Sequence, residues 1–542
     1  MLMSICLERR KIFMRKIFSA LILVLIISFS AAADTREIVY NIGADSRTID
    51  PALNYANDGA IVIMNTFDGL VRVGRDDKAE PACASHWEIS DDEMTWTFHL
   101  RDNLRWSDGK NLTAQHFKDA FMRLINPETG ALYANYGFFI KNAEKFYNGE
   151  VKPEEVGIDV PDEQTLIIHL EYKNPLMLDY MAFQTFVPVR MDIINKYQNA
   201  WAAKPETYIS NGAFMLESWQ HGEGGELTLV KNPNYWDADN VKVDRLRFVF
   251  INNSNTSLAA FRAGKLDLTS AVPLQMLPLL IKRGEIIPKP ALGVAYCDFN
   301  VNRKPFDDVR VRKAFALAID RRIITDRILM SGQRPATGFI CDLVPGTTPE
   351  KDFRTEGGEL LPEHANIEEA QRLLAEAGYP GGKNFPKVSY TYNSNPENKI
   401  LAEVLQGMWK KNLGVEVELL NEEWKVFLET RRKRNFYIAR DAWILDFNDG
   451  ANLLETLISE SAQNSTGYSN PDFDDAMRNS AHEMDNVKRI NFLHEAERIL
   501  MEDMPVAPIY FYSSGSLQSK RVRNIYKSPR GILLFRTAEV IQ

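Results

Sequence analysis

The second half of the chain alternates between helical and strand patterns, and this alternation limits the fold more than any other feature. A helical pattern from Pro396 to Lys411 ends near Gly414 and leads into a strand from Val415 to Leu420. A helix from Glu422 to Arg431 follows, and a mostly apolar stretch at residues 435–450 comes next. Such β-α-β alternation favours helices packed on a partly parallel sheet. We therefore expect an α/β body in this half.

Two further segments and the end of the chain add to this pattern. Apolar residues from Val309 to Leu329 recur at helical spacing, and Asn366 is typical of the N-cap of a helix that stops at Gly378. The segment from Val506 to Tyr512 reverts to a strand pattern. We expect this last strand to return and pair with the first domain.

The first half is richer in strands. A strand-like run from Arg36 to Ile42 precedes a helix around Gly59 to Phe67. Two similar segments, DEMTWTFHL at 92–100 and DEQTLIIHL at 162–170, share an acidic turn and a closing His-Leu, and the first alternates like a half-buried strand. Their two histidines suggest a metal pair, but no companion ligand spacing supports one. We interpret them as polar edge positions.

The N-terminus has the pattern of a secretory signal peptide at residues 1–33. A basic start at Met14-Arg15-Lys16 is followed by an apolar run from Ile17 to Phe29 and by small residues up to Ala33. The alternative is a membrane anchor, but the run is shorter than the roughly 20 residues that span a bilayer. No cysteine stands at its end for lipid attachment. We expect an unanchored periplasmic protein in a two-membrane bacterium.

Length and charge narrow the class of protein. The chain has 542 residues, of which 45% are hydrophobic, which predicts two to four domains without a disordered part. Its net charge of −9 becomes more negative when residues 1–33, with five Lys or Arg and one Glu, are removed. This acidity disfavours nucleic acid and anionic membranes as partners. Cys83, Cys297 and Cys341 allow one internal disulfide at most, and no C-x-x-C pattern indicates a metal or redox site.

Signatures of catalysis are absent from the sequence. Neither the zinc-protease pattern nor a G-x-S-x-G elbow occurs, and Gly222–Gly225 is a polar turn that leads into no helix. The pairs Asp307-Asp308 and Asp474-Asp475 are adjacent residues that we expect to face solvent. We therefore predict no enzyme, no cofactor and no metal. An active site assembled in space from distant residues stays open.

Seven segments carry a resemblance to a known family. The sequence resembles the family 5 extracellular solute-binding proteins of bacterial ABC transporters, the oligopeptide- and dipeptide-binding proteins, and the likeness covers essentially the whole mature chain. The segments are WTFHLRDNLRWSDGKNLTAQHF (96–117), SNGAFMLESW (210–219), NPNYWDAD (232–239), FRAGKLDL (261–268), PFDDVRVRKAFALAID (305–320), LLAEAGYP (373–380) and EEWKVFLETR (422–431).

The resemblance implies a fold and a function. The fold is an α/β, three-domain clamshell of the periplasmic-binding-protein type (class II-like, cluster C) with mixed sheets, whose lobes close around ligand by a hinge. The function is a monomeric periplasmic receptor that captures short peptides and delivers them to the permease and ATPase of an ABC importer in the inner membrane. The implied domains are a discontinuous domain I (34–68, 192–296 and 510–542), a β-rich domain II (69–191) and an α/β domain III (297–509).

The stretch NFYIARDAWILDFNDG at 435–450 acquires a ligand-binding interpretation from the resemblance. Asp446 is implied to take the α-ammonium of a peptide, and Arg440 to lie towards its carboxylate. Trp443, and also Trp424 and Arg431, match family positions near the ligand. An enclosed ammonium needs a fixed counter-charge, and Arg suits a carboxylate because it makes two parallel hydrogen bonds. Receptor strands would pair with the peptide backbone.

Spacing puts a condition on this interpretation. In an ideal strand Arg440 and Asp446 are roughly 20 Å apart, whereas an extended tetrapeptide spans about 13 Å. The strand must therefore end or bend near Trp443. The alternative is that Arg440 pairs with Asp441 or another carboxylate, and that Asp446 merely starts a turn over residues 446–450.

This sequence departs from the family pattern at residues that would hold the C-terminus of a peptide ligand, and at one cysteine pair. Asn398 and Leu329 stand where oligopeptide receptors use a His and a Lys, and Gly293 and Ile444 replace a disulfide-forming pair. A second hypothesis therefore keeps the fold with another solute, such as a murein peptide, a metal complex or another small molecule. An inaccessible or internally paired Asp446 would favour it. A third hypothesis is an exported peptide hydrolase.

Overall fold

The computed structural model describes residues 35–74, 78–348 and 350–541. The predicted signal peptide at residues 1–33 lies outside these ranges. Within them, no helix is both long enough and apolar enough to cross a membrane.

A five-stranded mixed sheet organises the first part of the chain. Glu37–Asn41, close to the predicted first strand, runs parallel to both of its neighbours, and the polar turn at Gly222–Gly225 connects two strands as predicted. In spatial order the strands are Leu268–Thr269, Glu37–Asn41, Arg245–Val249, Glu226–Lys231 and Phe214–Gln220.

The two similar segments form neighbouring strands of a four-stranded antiparallel sheet. In Thr95–Leu100 the alternating Trp96, Phe98 and Leu100 are buried, as the period of two predicts. His99 lies opposite Thr165, so His99 and His169 are at opposite ends of the pair and do not form a joint metal site. Both histidines lie on the two inner strands of the sheet. The prediction that they occupy edge positions is therefore wrong. The spatial order is Ala84–Ile89, Thr95–Leu100, Thr165–His169 and Ile158–Asp162.

A six-stranded mixed sheet forms the centre of the second half. Val388–Asn393 runs parallel to both of its neighbours, which confirms the predicted β-α-β alternation. The other pairings in the sheet are antiparallel. In spatial order the strands are Arg334–Pro335, Val506–Ser514, Lys289–Phe299, Ile438–Ile444, Val388–Asn393 and Val417–Glu422.

Helices cover these sheets, and most begin at a capping side chain. Asn366 accepts a hydrogen bond from the Glu369 amide at 3.3 Å, as its predicted N-cap role requires. The helical pattern from Val309 to Leu329 is interrupted after Leu317, because Asp320 caps a second helical segment there. The helices of eight or more residues are Asn57–Thr66, Ala114–Leu124, Ser254–Arg262, Val309–Leu317, Ile367–Glu376, Pro396–Leu413, Trp424–Arg432, Pro471–His482 and Asn486–Asp503.

Two large hydrophobic cores divide the molecule into lobes. The first lobe has its core in residues 38–268 and 522–538, and the second lobe has its core in residues 292–511. One side chain crosses over: Phe447, from a loop of the second lobe, is buried in the first core. The core of the first lobe is continuous, and its division into domains I and II stays a prediction.

The terminal strand was expected to pair with the first domain, and this is wrong. Val506–Ser514 lies in the six-stranded sheet between Lys289–Phe299 and Arg334–Pro335, because its residues are almost all apolar and fill an interior position there. The chain returns to the first lobe later, where Gln518 bridges to Leu268. The predicted limits of domain III, 297 and 509, therefore fall inside two paired strands.

Candidate functional site

The strand that carries the predicted site ends where the spacing argument requires. Ile438–Ile444 stops two residues before Asp446, and its last pair joins Ile444 to Gly293. A Cβ atom on residue 293 would lie 2.5 Å from Ile444 Cδ1, so glycine makes this close pairing possible. The chain then turns away from the sheet, which confirms that the strand ends before Asp446.

Asp446 lies at the junction of the two lobes. Its Oδ2 accepts a hydrogen bond from the Tyr136 hydroxyl at 2.7 Å, and its Oδ1 accepts one from the Tyr133 hydroxyl at 3.3 Å. Both tyrosines belong to the first lobe, at a short helical turn over Ala134–Gly137. The Asp446 carbonyl oxygen accepts from Arg530 Nη1 at 2.7 Å. The carboxylate is therefore held by two neutral donors from the opposite lobe.

A second carboxyl group, that of Glu455, lies in the same network as Asp446. Asn452 donates to both the Tyr136 hydroxyl and Glu455 Oε1, each at 3.2 Å. Burial, and then the neighbouring Asp446, raise the pKa of Glu455 to about 8. Burial also raises the pKa of Asp446. Within the described ranges, no Lys, Arg or His side chain forms a salt bridge with either group. The pair therefore lacks a direct ionic partner.

Aromatic rings close the space around these carboxylates. Phe447 packs against Tyr180 and Tyr136 with ring centroids 5.2 and 6.1 Å apart. A cavity of about 40 Å³ remains between the lobes, bounded by Asp446, Tyr133 and Arg530, among others. This space holds no more than a few water molecules, so a peptide-sized ligand requires the lobes to separate. A larger cavity of about 490 Å³ lies elsewhere, against Arg123 of the first lobe.

Arg440 provides a cation at the other end of the same strand. Its Nη2 donates to the Tyr512 hydroxyl at 3.2 Å, and no salt bridge joins it to a carboxylate in the part of the chain that the structure describes. The alternative pairing with Asp441 is not formed, since Asp441 accepts from Arg431 and from the Tyr296 hydroxyl. The positive charge of Arg440 is therefore uncompensated by an ion pair.

Arg431, also predicted near the ligand, is held inside the second lobe. It donates to Asp298 Oδ2 at 3.2 Å, to Asp441 and to Ser465 Oγ. Burial lowers the pKa of Arg431, but the two carboxylates more than offset this and keep it above its ordinary range. Its charge is thus neutralised internally, and a direct contact with ligand stays a prediction.

Comparison with known proteins identifies the family. The model of the bacterial extracellular solute-binding proteins, family 5 (middle region), matches residues 78–465. The chain belongs to this family. It is 34% identical over 505 residues to the oligopeptide-binding protein OppA of Bacillus subtilis, covering 92% of this chain and 91% of that protein. It is 32% identical to the periplasmic murein peptide-binding protein MppA of Escherichia coli, covering 95% of each.

Solved structures of family 5 members confirm the fold. The crystal structure of Haemophilus influenzae OppA in complex with RPPGFSPFR has a TM-score of 0.81 at 32% identity, covering 94% of this chain and 99% of that one. A structure of Escherichia coli MppA has a TM-score of 0.83, against 0.74 for its unliganded open form, and each covers 94% of this chain and 98% or more of MppA. The arrangement here is less similar to that open form, in agreement with the contacts between lobes.

The two predicted tryptophans of this family 5 chain lie in different surroundings. Trp443 donates from Nε1 to Asn452 Oδ1 at 3.1 Å, and so belongs to the Asp446 network. Trp424 is the first residue of the helix Trp424–Arg432 and is 47% exposed. Two of the residues that depart from the family pattern lie as follows: Asn398 donates to Asn393, at the end of the preceding strand, and Leu329 is buried.

Four residues of the site gave no signal in the sequence. Tyr133, Tyr136 and Arg530 come from the other lobe, 84 to 313 residues away from Asp446 along the chain. Glu455 follows nine residues after Asp446, but only the turn between them brings the two together. A comparison of many family members that showed tyrosines at positions 133 and 136 together with Asp446 could have indicated the two tyrosines.

Proposed function

We propose that this protein is an exported receptor of the periplasm, which encloses short peptides between its two lobes and delivers them to the permease and ATPase of an ABC importer. The names of its relatives, OppA and MppA, support a peptide ligand. The OppA structure with RPPGFSPFR supports binding of a peptide by this fold. We also propose that it works as a monomer, and that its first lobe is divided into domains I and II.

One observation carries the proposal. The carboxylate of Asp446, just beyond a strand, and the guanidinium of Arg440, within that strand, form no salt bridge with another described residue. Arg440 and Ile444, the end of that strand, are four residues apart, or roughly 13 Å. Asp446 follows within two residues. A zwitterionic peptide in extended form supplies the two missing charges at comparable spacing, the ammonium to Asp446 and the carboxylate to Arg440.

Electrostatics favours a cation at the Asp446 end. The raised pKa values of Asp446 and Glu455 reflect the cost of keeping a negative charge in a buried place. An ammonium between them would reverse this effect, so binding should be accompanied by release of a proton. Attraction between the paired charges offsets the cost of several kcal/mol for taking each of them out of water.

The tyrosines raise the question of whether Asp446 is already satisfied. Their hydroxyls are neutral donors, so they orient the carboxylate without compensating its charge. A carboxylate has about four acceptor positions, and Tyr133 and Tyr136 use two of them. An ammonium can therefore join, once the lobes have opened and closed again around the ligand.

The same hydrogen bonds favour a second candidate function, which is the binding of another solute. If Tyr133 and Tyr136 keep Asp446 from the ligand, the recognised group is not an ammonium. The ligand is then a murein-derived or otherwise modified peptide, a metal complex or another small molecule held mainly by aromatic side chains.

Native mass spectrometry of the purified mature protein distinguishes the two candidates. Co-purified ligands should be released as a mixture of short peptides with free amino termini. A single non-peptide species, or no mass that corresponds to a peptide, would support the second candidate. Incubation with the same peptides should give no cleavage, because this is a binding protein. Export is tested by N-terminal sequencing, which should begin at Asp34.

A further inference from the structure

Two histidines and a glutamate converge on the solvent face of the four-stranded sheet, away from the cleft between the lobes. His86 lies directly opposite His99 on the neighbouring antiparallel strand, and Glu88 is two residues further along on the same face as His86. One ligand atom of each residue lies within 4.8 Å of the others. The two imidazole rings are stacked, with centroids 4.5 Å apart and planes 15° from parallel.

A neighbouring serine fixes the tautomer of the first histidine. The Ser85 hydroxyl donates its hydrogen to the His99 carbonyl oxygen at 3.1 Å. Its oxygen then accepts from Nδ1–H of His86, which is 2.9 Å away. With the proton on Nδ1, the lone pair of His86 is on Nε2, the form in which a neutral imidazole binds a metal.

The second histidine presents a nitrogen that the protein leaves unused. Among the residues that the structure describes, His99 Nε2 has no hydrogen-bond partner, although the atom itself is buried. Its nearest carboxylate oxygen, Glu88 Oε1, is 3.7 Å away, which is long for a hydrogen bond. Two donors at about 2.1 Å from one tetrahedral ion are about 3.4 Å apart. Because each imidazole lone pair lies in the plane of its ring, the two rings must turn out of their parallel stack for both nitrogens to bind one ion.

We propose that His86, Glu88 and His99 form a surface site for one divalent transition-metal ion of the Zn²⁺ class. Two imidazole nitrogens and one carboxylate oxygen are the ligand set of several zinc sites and suit Cu²⁺ and Ni²⁺ as well. Because Glu88 is exposed, at least one coordination position stays open to water. An ion here would join the first two strands of the sheet.

The test uses the untagged mature protein, freed of metal with a chelator and titrated with Zn²⁺ against a chromophoric competitor. The wild type should bind one equivalent. His86→Ala and His99→Ala should each weaken binding by about tenfold or more, since each removes one of three ligands. His169→Ala is the matched control, because His169 lies on the same sheet but pairs with Asp159 at 3.0 Å. It should change the affinity by less than about twofold.

Melting temperatures measured without and with Zn²⁺ distinguish loss of the metal site from loss of the fold. Melting temperatures without metal should agree for all variants, which shows that they fold, and Zn²⁺ should raise the melting temperature of the wild type and of His169→Ala but not of the other two. Absence of stoichiometric binding by the wild type, or equal binding by a His86→Ala/His99→Ala double variant, would overturn the proposal.

Discussion

Replacing Glu455 by glutamine should abolish a pH-dependent loss of stability that the site imposes on the protein. In the folded state the pKa of Glu455 is raised from 4.5 to about 8, by burial first and then by Asp446. The folded protein therefore keeps a proton on Glu455 that the unfolded chain loses above about pH 4.5. The free energy of unfolding falls as pH rises between these two values. The glutamine amide of the variant is neutral, and its oxygen can still accept the hydrogen bond from Asn452.

The magnitude follows from the pKa difference. At about 1.36 kcal/mol for each pH unit, the loss between pH 5 and pH 9 has a ceiling of about 4 kcal/mol. Opening of the lobes lets water reach Glu455, so we expect between about 1 and 4 kcal/mol. In a chain of 542 residues that corresponds to roughly 1 to 4 °C in melting temperature.

Differential scanning calorimetry of wild type and Glu455→Gln at pH 5 and pH 9 measures this effect. The variant should gain melting temperature relative to wild type at pH 9 and little at pH 5. Glu460→Gln, a change at an exposed position in the same segment, is the control and should show no such difference. If Glu455→Gln and the wild type have the same melting temperature at pH 5 and again at pH 9, Glu455 is not a desolvated, uncompensated carboxyl group.

Three other changes test separate parts of the site. Arg440→Ala should weaken binding of a peptide with a free carboxylate by about tenfold, and leave its C-terminal amide unaffected, in isothermal titration calorimetry. Asp441→Asn should lower the free energy of unfolding by about 1 to 3 kcal/mol, measured by denaturation, since it leaves the partly buried Arg431 with Asp298 as its one carboxylate partner among the described residues; no loss would contradict the internal role of Arg431. Phe447→Ala should increase the radius of gyration of the unliganded protein in small-angle X-ray scattering, because Phe447 joins the lobes; an unchanged radius would contradict that role.

The sequence allowed prediction of those parts of the fold that depend on local pattern. The alternation of Trp96, Phe98 and Leu100 gave the correct buried face, and the cap at Asn366 gave the start of its helix. The strand Val506–Ser514 was assigned to the wrong sheet, because the apolar residues of a strand do not indicate which other strand it pairs with. Only the three-dimensional packing decides between two sheets that both need an apolar strand.

The sequence allowed prediction of those site residues that lie in one continuous segment, but not of those that come from distant parts of the chain. Residues 435–450 contain the two predicted ligand-binding charges, Arg440 and Asp446, and their spacing correctly predicted that the strand ends before Asp446. Tyr133 and Tyr136 were out of reach, since closure of the lobes brings them to Asp446 from 313 and 310 residues away. Arg431 shows the converse: its family position suggested a ligand contact, while Asp298 and Asp441 already compensate its charge.

Titration of two peptides into two proteins tests whether Asp446 binds the α-ammonium of the ligand. A tetrapeptide and its N-acetylated form, which lacks the ammonium, are titrated into wild type and Asp446→Asn. If Asp446 binds the ammonium, acetylation and the substitution should each weaken binding by about 2 to 4 kcal/mol, and together by little more than either alone. Equal affinity of Asp446→Asn and wild type for the free peptide would contradict the account.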